Sequence, residues 1–169
     1  MDSTPSSSRV SRTVLLLLRV LTFVFLLIAL ILIAINKVAV DISHRQLEVK
    51  FNDFHAYRYM ISTIVIGFAY NIVQMALSIF SVLSGNRVLS SNGGYLFDFF
   101  GDKIISYLLL SGSAAGFGAS EDLRKIFHSI ELFKSFFEKA NASASLLLIG
   151  FLFTAIASTF TSFALPKKA

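Results

Sequence analysis

The sequence has no cysteine and no tryptophan, only two prolines, and charged residues at just 15% of its 169 positions. Each shortage excludes something. Without cysteine there are neither disulfides nor thiolate metal sites. Without tryptophan, an interfacial aromatic belt has to be built from the five Tyr and 18 Phe. The net charge of +5 is modest and its basic residues are scattered. That is unlike the basic patch that grips nucleic acid, so no nucleic-acid partner is expected. What fills the space left by charge is apolar: 55% of the residues are hydrophobic. Long uncharged runs of them place the chain among membrane proteins.

The runs divide the chain. Residues 1–12, MDSTPSSSRVSR, are serine-rich with little apolar content and read as a disordered tail. Thr13 to Ile35 is close to the roughly 20 residues a helix needs to cross a bilayer. It exceeds the apolar core of a cleaved signal peptide and reads as a retained anchor. Further spans are expected over Tyr57–Leu83, Phe97–Ala119 and Ser143–Leu165, so that residues 13–165 form one membrane domain and residues 166–169 a short tail. The expected fold is all-α, a bundle of four transmembrane helices.

The connections have patterns of their own. Val38, Val40 and Ile42 alternate with polar or small residues, as do Leu47, Val49 and Phe51. With Ser-His-Arg-Gln between the two runs, this predicts a short β-hairpin in the first loop. His44 and His55 lie there with Asp41, Glu48 and Asp53, but not at metal-ligand spacing. Asn92-Gly93-Gly94 signals a turn before the third span. Between Glu121 and Ala140, Leu123, Ile126, Phe127, Ile130, Phe133 and Phe137 mark one face of an amphipathic helix, which is expected to lie on the membrane surface or cap the bundle. The sequon Asn141-Ala142-Ser143 abuts the fourth span and is expected to stay unused.

Polar residues inside the spans are not randomly placed. Gly67, Asn71, Gln74, Ser78 and Ser81 follow steps of four, three, four and three and fall on one helical stripe. Asp102, Ser106, Leu109, Ser113, Gly116 and Ser120 form a second, and Gly150, Thr154, Ala157 and Thr161 a third. In lipid such a stripe must face other helices, because amides and hydroxyls would find no partners elsewhere. Gly67, Asn71, Gln74, Ser106, Gly112, Ser113 and Gly116 are therefore candidate helix-packing residues, with Gly112 and Gly116 forming a GxxxG spacing.

Two charges stand inside apolar runs. Arg19 lies six residues past Thr13 and Asp102 five residues past Phe97. At a rise of about 1.5 Å per residue, each sits roughly 8–9 Å into its span. Placing such a group at the centre of a bilayer costs about 2.5–3.5 kcal/mol on insertion, so it usually has a partner. Spans one and three run in the same direction, so Arg19 and Asp102 enter from the same face at similar depth. They are expected to form a bidentate ion pair. Snorkelling of the arginine to the headgroups is the alternative.

With four spans both termini share a side. That side carries Arg9, Arg12, Arg87, Lys167 and Lys168, and the other carries Lys37, Arg45, Lys50, Arg124, Lys125, Lys134 and Lys139. A count of Lys and Arg does not favour the termini. Arg9 and Arg12 flank the first span directly, and that span usually dominates, so both termini are expected to be cytosolic. Lys167 and Lys168 would then meet an anionic leaflet.

The segments FNDFHAYRYMISTIVIGFAYN and GYLFDFFGDKIISYLLLSGSAAGFGAS, with Asp102 followed by Tyr-Leu-Leu and the small-residue run SGSAAG, resemble the Casparian strip membrane domain protein-like (CASP-like) family of plants. The resemblance covers nearly all of the chain beyond its N-terminal tail. It implies a multi-pass plasma-membrane protein related to the MARVEL-type four-span proteins. It also implies cytosolic termini, and homo- and heterodimers with other CASP-like proteins. The family's two embedded charges fall on Arg19 and Asp102. Its best-known members build a membrane scaffold that restricts diffusion and localises lignification of the cell wall. This chain lacks their first-loop signature and a cysteine in the second far-side loop, so the resemblance implies the looser CASP-like group.

Three functions compete. A non-enzymatic scaffold needs only a self-associating bundle, lipid around it and no cofactor. A small transporter or channel would use Asn71, Gln74, Asp102 and Tyr107 as a path, although no inverted repeat or broken helix is visible. An enzyme has the weakest case: the three His lie outside the spans and no nucleophile–base pair or phosphate loop is present.

Overall fold

The computed structural model describes residues 5–42, 45–84, 92–127 and 133–163. Four long helices dominate: α1 (Pro5–Ala34), α2 (His55–Leu83), α3 (Asn92–Ile126) and α4 (Lys134–Phe163). Three of them, α1, α2 and α4, are long and apolar enough to cross a membrane. The direction of each helix follows from its polar ties. Arg19 on α1 meets Asp102 on α3, and Ala29 on α1 meets Ser143 on α4. Tyr57 on α2 meets Ser120 on α3, whereas Tyr70 meets Asp102. Numbers rise along α1 and α3 as they fall along α2 and α4, so the bundle is up-down-up-down, with α1–α2, α2–α3, α3–α4 and α4–α1 in contact.

The first loop forms the hairpin that alternation predicts. Strand β1 (Lys37–Ile42) pairs antiparallel with β2 (Arg45–Lys50), Val38 opposite Val49 and Val40 opposite Leu47. Arg45 and Gln46 are strand rather than turn, so the connection is two residues long, and His44 lies outside the described residues. A 3-10 turn, Phe51–Asp53, leads into α2, with the Asp53 carboxylate accepting from the Lys50 N–H at 2.8 Å.

Helix boundaries depart from the sequence reading in four places. Helix α1 starts at Pro5, inside the stretch expected to be a disordered tail. Proline is preorganised for the first helical position, where its missing N–H costs nothing, and extending an existing helix avoids a second nucleation. Asn92-Gly93-Gly94 is the first turn of α3 rather than a loop. Each glycine costs a helix about 1 kcal/mol of conformational entropy relative to alanine, which the tertiary packing of the rest of α3 offsets. Helix α3 also continues past Ala119 to Ile126, where Arg124 and Lys125 complement the negative end of its dipole.

The fourth departure is the amphipathic segment 121–140, whose described residues are shared between two longer helices. Its first part finishes α3 and its last part begins α4. His128 and Ile130 lie outside the described residues. The fold-back rests on aromatic packing: Phe127 stacks on Phe133 with centroids 4.5 Å apart, and Phe136 meets Phe54 and Tyr57 of the first loop and α2. Leu123, Phe133 and Phe137 join this cluster, whereas Ile126 points outward.

Candidate functional site: a polar cluster inside the bundle

Near the middle of the bundle, α1, α2 and α3 bring their polar residues to one place. Arg19 is 2% exposed and Asp102 0%. The two guanidinium nitrogens Nη1 and Nη2 donate to the two carboxylate oxygens, each at 2.6 Å, in the parallel geometry that suits a planar fork. The arginine therefore turns into the bundle instead of reaching for the headgroups. Both groups sit deeper within their helices than the spans alone implied, because α1 begins at Pro5 and α3 at Asn92.

The pair is surrounded by donors from α2. Tyr70 donates its hydroxyl to Asp102 Oδ1 at 2.9 Å, and its ring lies 5.9 Å from the Arg19 guanidinium carbon. Gln74 Nε2 donates to Tyr70 Oη at 3.0 Å and to Asp98 Oδ1 at 3.1 Å. Asn71 Nδ2 donates to the Arg19 backbone carbonyl at 2.9 Å. Ser106 donates its hydroxyl to the Asp102 carbonyl one turn back. In a low-dielectric interior such a network gains strength only when its members are satisfied together. Here the carboxylate accepts from two helices at once.

Tyr70 was not among the residues singled out from sequence. The signal was present: Gly67, Tyr70, Asn71 and Gln74 stand at i, i+3, i+4 and i+7, so the polar stripe of α2 is one column wider than its amides and small residues suggest.

The other expected packing residues lie along the same seams. All of Asp102, Ser106, Leu109, Ser113, Gly116 and Ser120 are buried, as are Gly150, Thr154, Ala157 and Thr161. Ser113 donates to the Ala144 carbonyl of α4 at 2.9 Å. Gly67 sits under Leu109: a Cβ there would stand 2.6 Å from Leu109 Cδ2. The GxxxG spacing is used within the monomer. A Cβ on Gly112 would run into Thr63 of α2, and one on Gly116 into Met60 of α2 and Ala144 of α4. Tyr107 departs from the path reading. It is 64% exposed and lines the groove between α3 and α4, which Asn71, Gln74 and Asp102 do not line.

Chemically the cluster is a set of charges and hydrogen bonds drawn from three helices, in which both carboxylate oxygens of Asp102 are engaged and Arg19 Nε is left without a partner. It can hold three helices in register at one level of the bilayer.

Comparison with known proteins bears on what such a bundle belongs to. The family model of the Casparian strip membrane protein domain matches residues 8–153. A CASP-like protein 4D1 from Glycine max is 75% identical, the alignment covering 99% of this chain and 95% of the relative. One from Ricinus communis, also a CASP-like protein 4D1, is 47% identical over 97% of this chain and 98% of its own. A CASP-like protein 4D2 from Arabidopsis thaliana is 44% identical, with 97% of each chain covered. No solved structure matches the chain. A multi-pass membrane protein whose sequence fits that model over both members of the buried Arg19–Asp102 pair, this chain belongs to the Casparian strip membrane protein domain family.

Proposed function

We propose that the protein is a non-enzymatic scaffold of the plasma membrane. It self-associates and associates with other CASP-like proteins to organise a membrane domain, with a link to local modification of the cell wall. In this reading α3 is the fourth crossing, because it is tied along its length to α1, α2 and α4. Both termini are cytosolic. The observation that carries the reading is the engagement of the embedded carboxylate: both oxygens of Asp102 accept from Arg19 and one also from Tyr70, while Gln74 is held by Tyr70 and Asp98, so these groups serve the packing of the bundle rather than a passing solute. Membership of a family named for membrane proteins of the Casparian strip supports the scaffold over a carrier.

The test is a charge swap. Self-association in mild detergent is measured for the wild type, Arg19→Asp, Asp102→Arg and the double variant. Each single variant is expected to lose assembly, because stranding one buried charge costs on the order of 3–5 kcal/mol, and the double variant to recover it. A double variant no better than the singles removes the pair as the organising contact. Substantial solute flux through wild-type proteoliposomes that Asp102→Asn abolishes overturns the scaffold reading itself.

A further inference from the structure

A second polar feature lies outside the cluster, in the groove between α3 and α4 towards the terminal end of the bundle. It encloses about 390 Å³, with Lys103 and Phe99 on one wall and Phe151, Ser158, Thr159 and Ser162 on the other. Lys103 follows Asp102 in sequence, but that carboxylate is held by Arg19 and Tyr70. The contact of the Lys103 ammonium is the face of Phe99, 5.4 Å to the ring centroid, and among the described residues it has no counter-ion. Across the groove, Ser158 is 3% exposed and its hydroxyl has no hydrogen-bond partner. Its neighbours Thr154, Thr159 and Thr161 each donate to the carbonyl four residues earlier.

Two needs unmet among the described residues therefore face one space: a cation on a membrane helix without a counter-ion, and a buried hydroxyl without an acceptor. Phosphate oxygens meet both, accepting from the ammonium and the hydroxyl together. The antiparallel helices order the rest of the groove. Lys103, Thr159 and Ser162 lie towards the terminal end, and Phe151 lies deeper, where an acyl chain runs. We propose that this groove binds an anionic phospholipid of the leaflet at the chain's terminal end, its phosphate on Lys103 and Ser158 and its chain past Phe151. A carboxylate from a second copy of the chain is the competing occupant. A carboxylate also suits the lysine, but it gives no reason for an apolar wall continuing below the charge.

The full chain in mild detergent is titrated with palmitoyl-oleoyl phosphatidic acid, palmitoyl-oleoyl phosphatidylcholine and inorganic phosphate, and bound adducts are read by native mass spectrometry. Phosphatidic acid is expected to bind above the other two. Lys103→Gln is expected to weaken it by about five- to tenfold and Ser158→Ala by a few-fold. Lys134→Gln, at the opposite end of α4, is expected to leave it unchanged. Equal binding by Lys103→Gln, or by phosphatidylcholine, overturns the proposal. So does equal binding by inorganic phosphate, or adducts that vanish whenever the chain is monomeric. A photoactivatable phosphatidic acid on the wild type gives an answer that needs no variant: cross-links within residues 99–107 and 151–162 support the site, and cross-links confined elsewhere overturn it. Lys103→Gln leaves Arg19 and Asp102 in place, so this test stands apart from the charge swap.

Discussion

Single atoms decide how closely these helices approach. Gly112 and Gly118 are six residues apart on the same helix and face opposite fates. A methyl group on Gly112 collides with the Thr63 side chain, whereas one on Gly118 meets nothing within 4 Å. Gly112→Ala is expected to destabilise the bundle by about 1–3 kcal/mol, the usual cost of overpacking. Gly118→Ala is expected to be neutral or to stabilise by about 0.5–1 kcal/mol, as alanine replaces glycine in a helix. Thermal melting of the two variants in the same detergent checks this, and a fall in Tm for Gly118→Ala alone contradicts the seam. The same reasoning explains why the GxxxG spacing is not free for dimerisation: Thr63, Met60 and Ala144 already occupy it.

Among elements, α4 carries the next prediction. The sequon serine, Ser143, is fully buried and donates to the Ala29 carbonyl at 2.7 Å, and Asn141 stands one turn into the packed part of the helix. Glycosylation requires an accessible surface segment, so protein made in a secretory host is expected to show no mobility shift on endoglycosidase treatment. A shift would mean that α4 does not pack as described.

The elements also divide what the sequence discloses from what it hides. Stripes on α2, α3 and α4 are legible because lipid leaves polar groups one place to go, and the hairpin is legible because alternation has a period of two. Arg19 and Asp102 are visible as charges where charge is costly. The break between α3 and α4 is not legible: the segment after Phe127, His128-Ser129-Ile130-Glu131-Leu132, contains neither glycine nor proline. What folds the chain back is a meeting of Phe127, Phe133 and Phe136 with Phe54 and Tyr57, contacts between residues far apart in sequence. Tyr70 was hidden for another reason. An aromatic in a membrane helix reads as apolar until its hydroxyl is seen to have a partner.

At the scale of the whole molecule, the alternation of the four helices makes a prediction about sidedness. Asn52, after the hairpin, and Ser84, after α2, are both exposed and lie at opposite ends of the bundle. The chain has no cysteine, so single introduced thiols report without background. With both termini cytosolic, an impermeant maleimide applied to intact cells is expected to label the Asn52→Cys variant. The Ser84→Cys variant is expected to react only after permeabilisation. The reverse pattern inverts the proposed orientation, and labelling of both from outside breaks the alternation.

The middle of the bundle and its hairpin end are fastened by different means. Midway along the helices the fastening is ionic and directional, Arg19 locked to Asp102. Beneath the hairpin it is a pile of rings, Phe54, Tyr57, Phe133, Phe136 and Phe137, pinned by hydrogen bonds from Asn36 to the Phe136 carbonyl and between Tyr57 and Ser120. The two fastenings therefore fail differently: losing one charge strands its partner, whereas losing one ring leaves its neighbours still in contact.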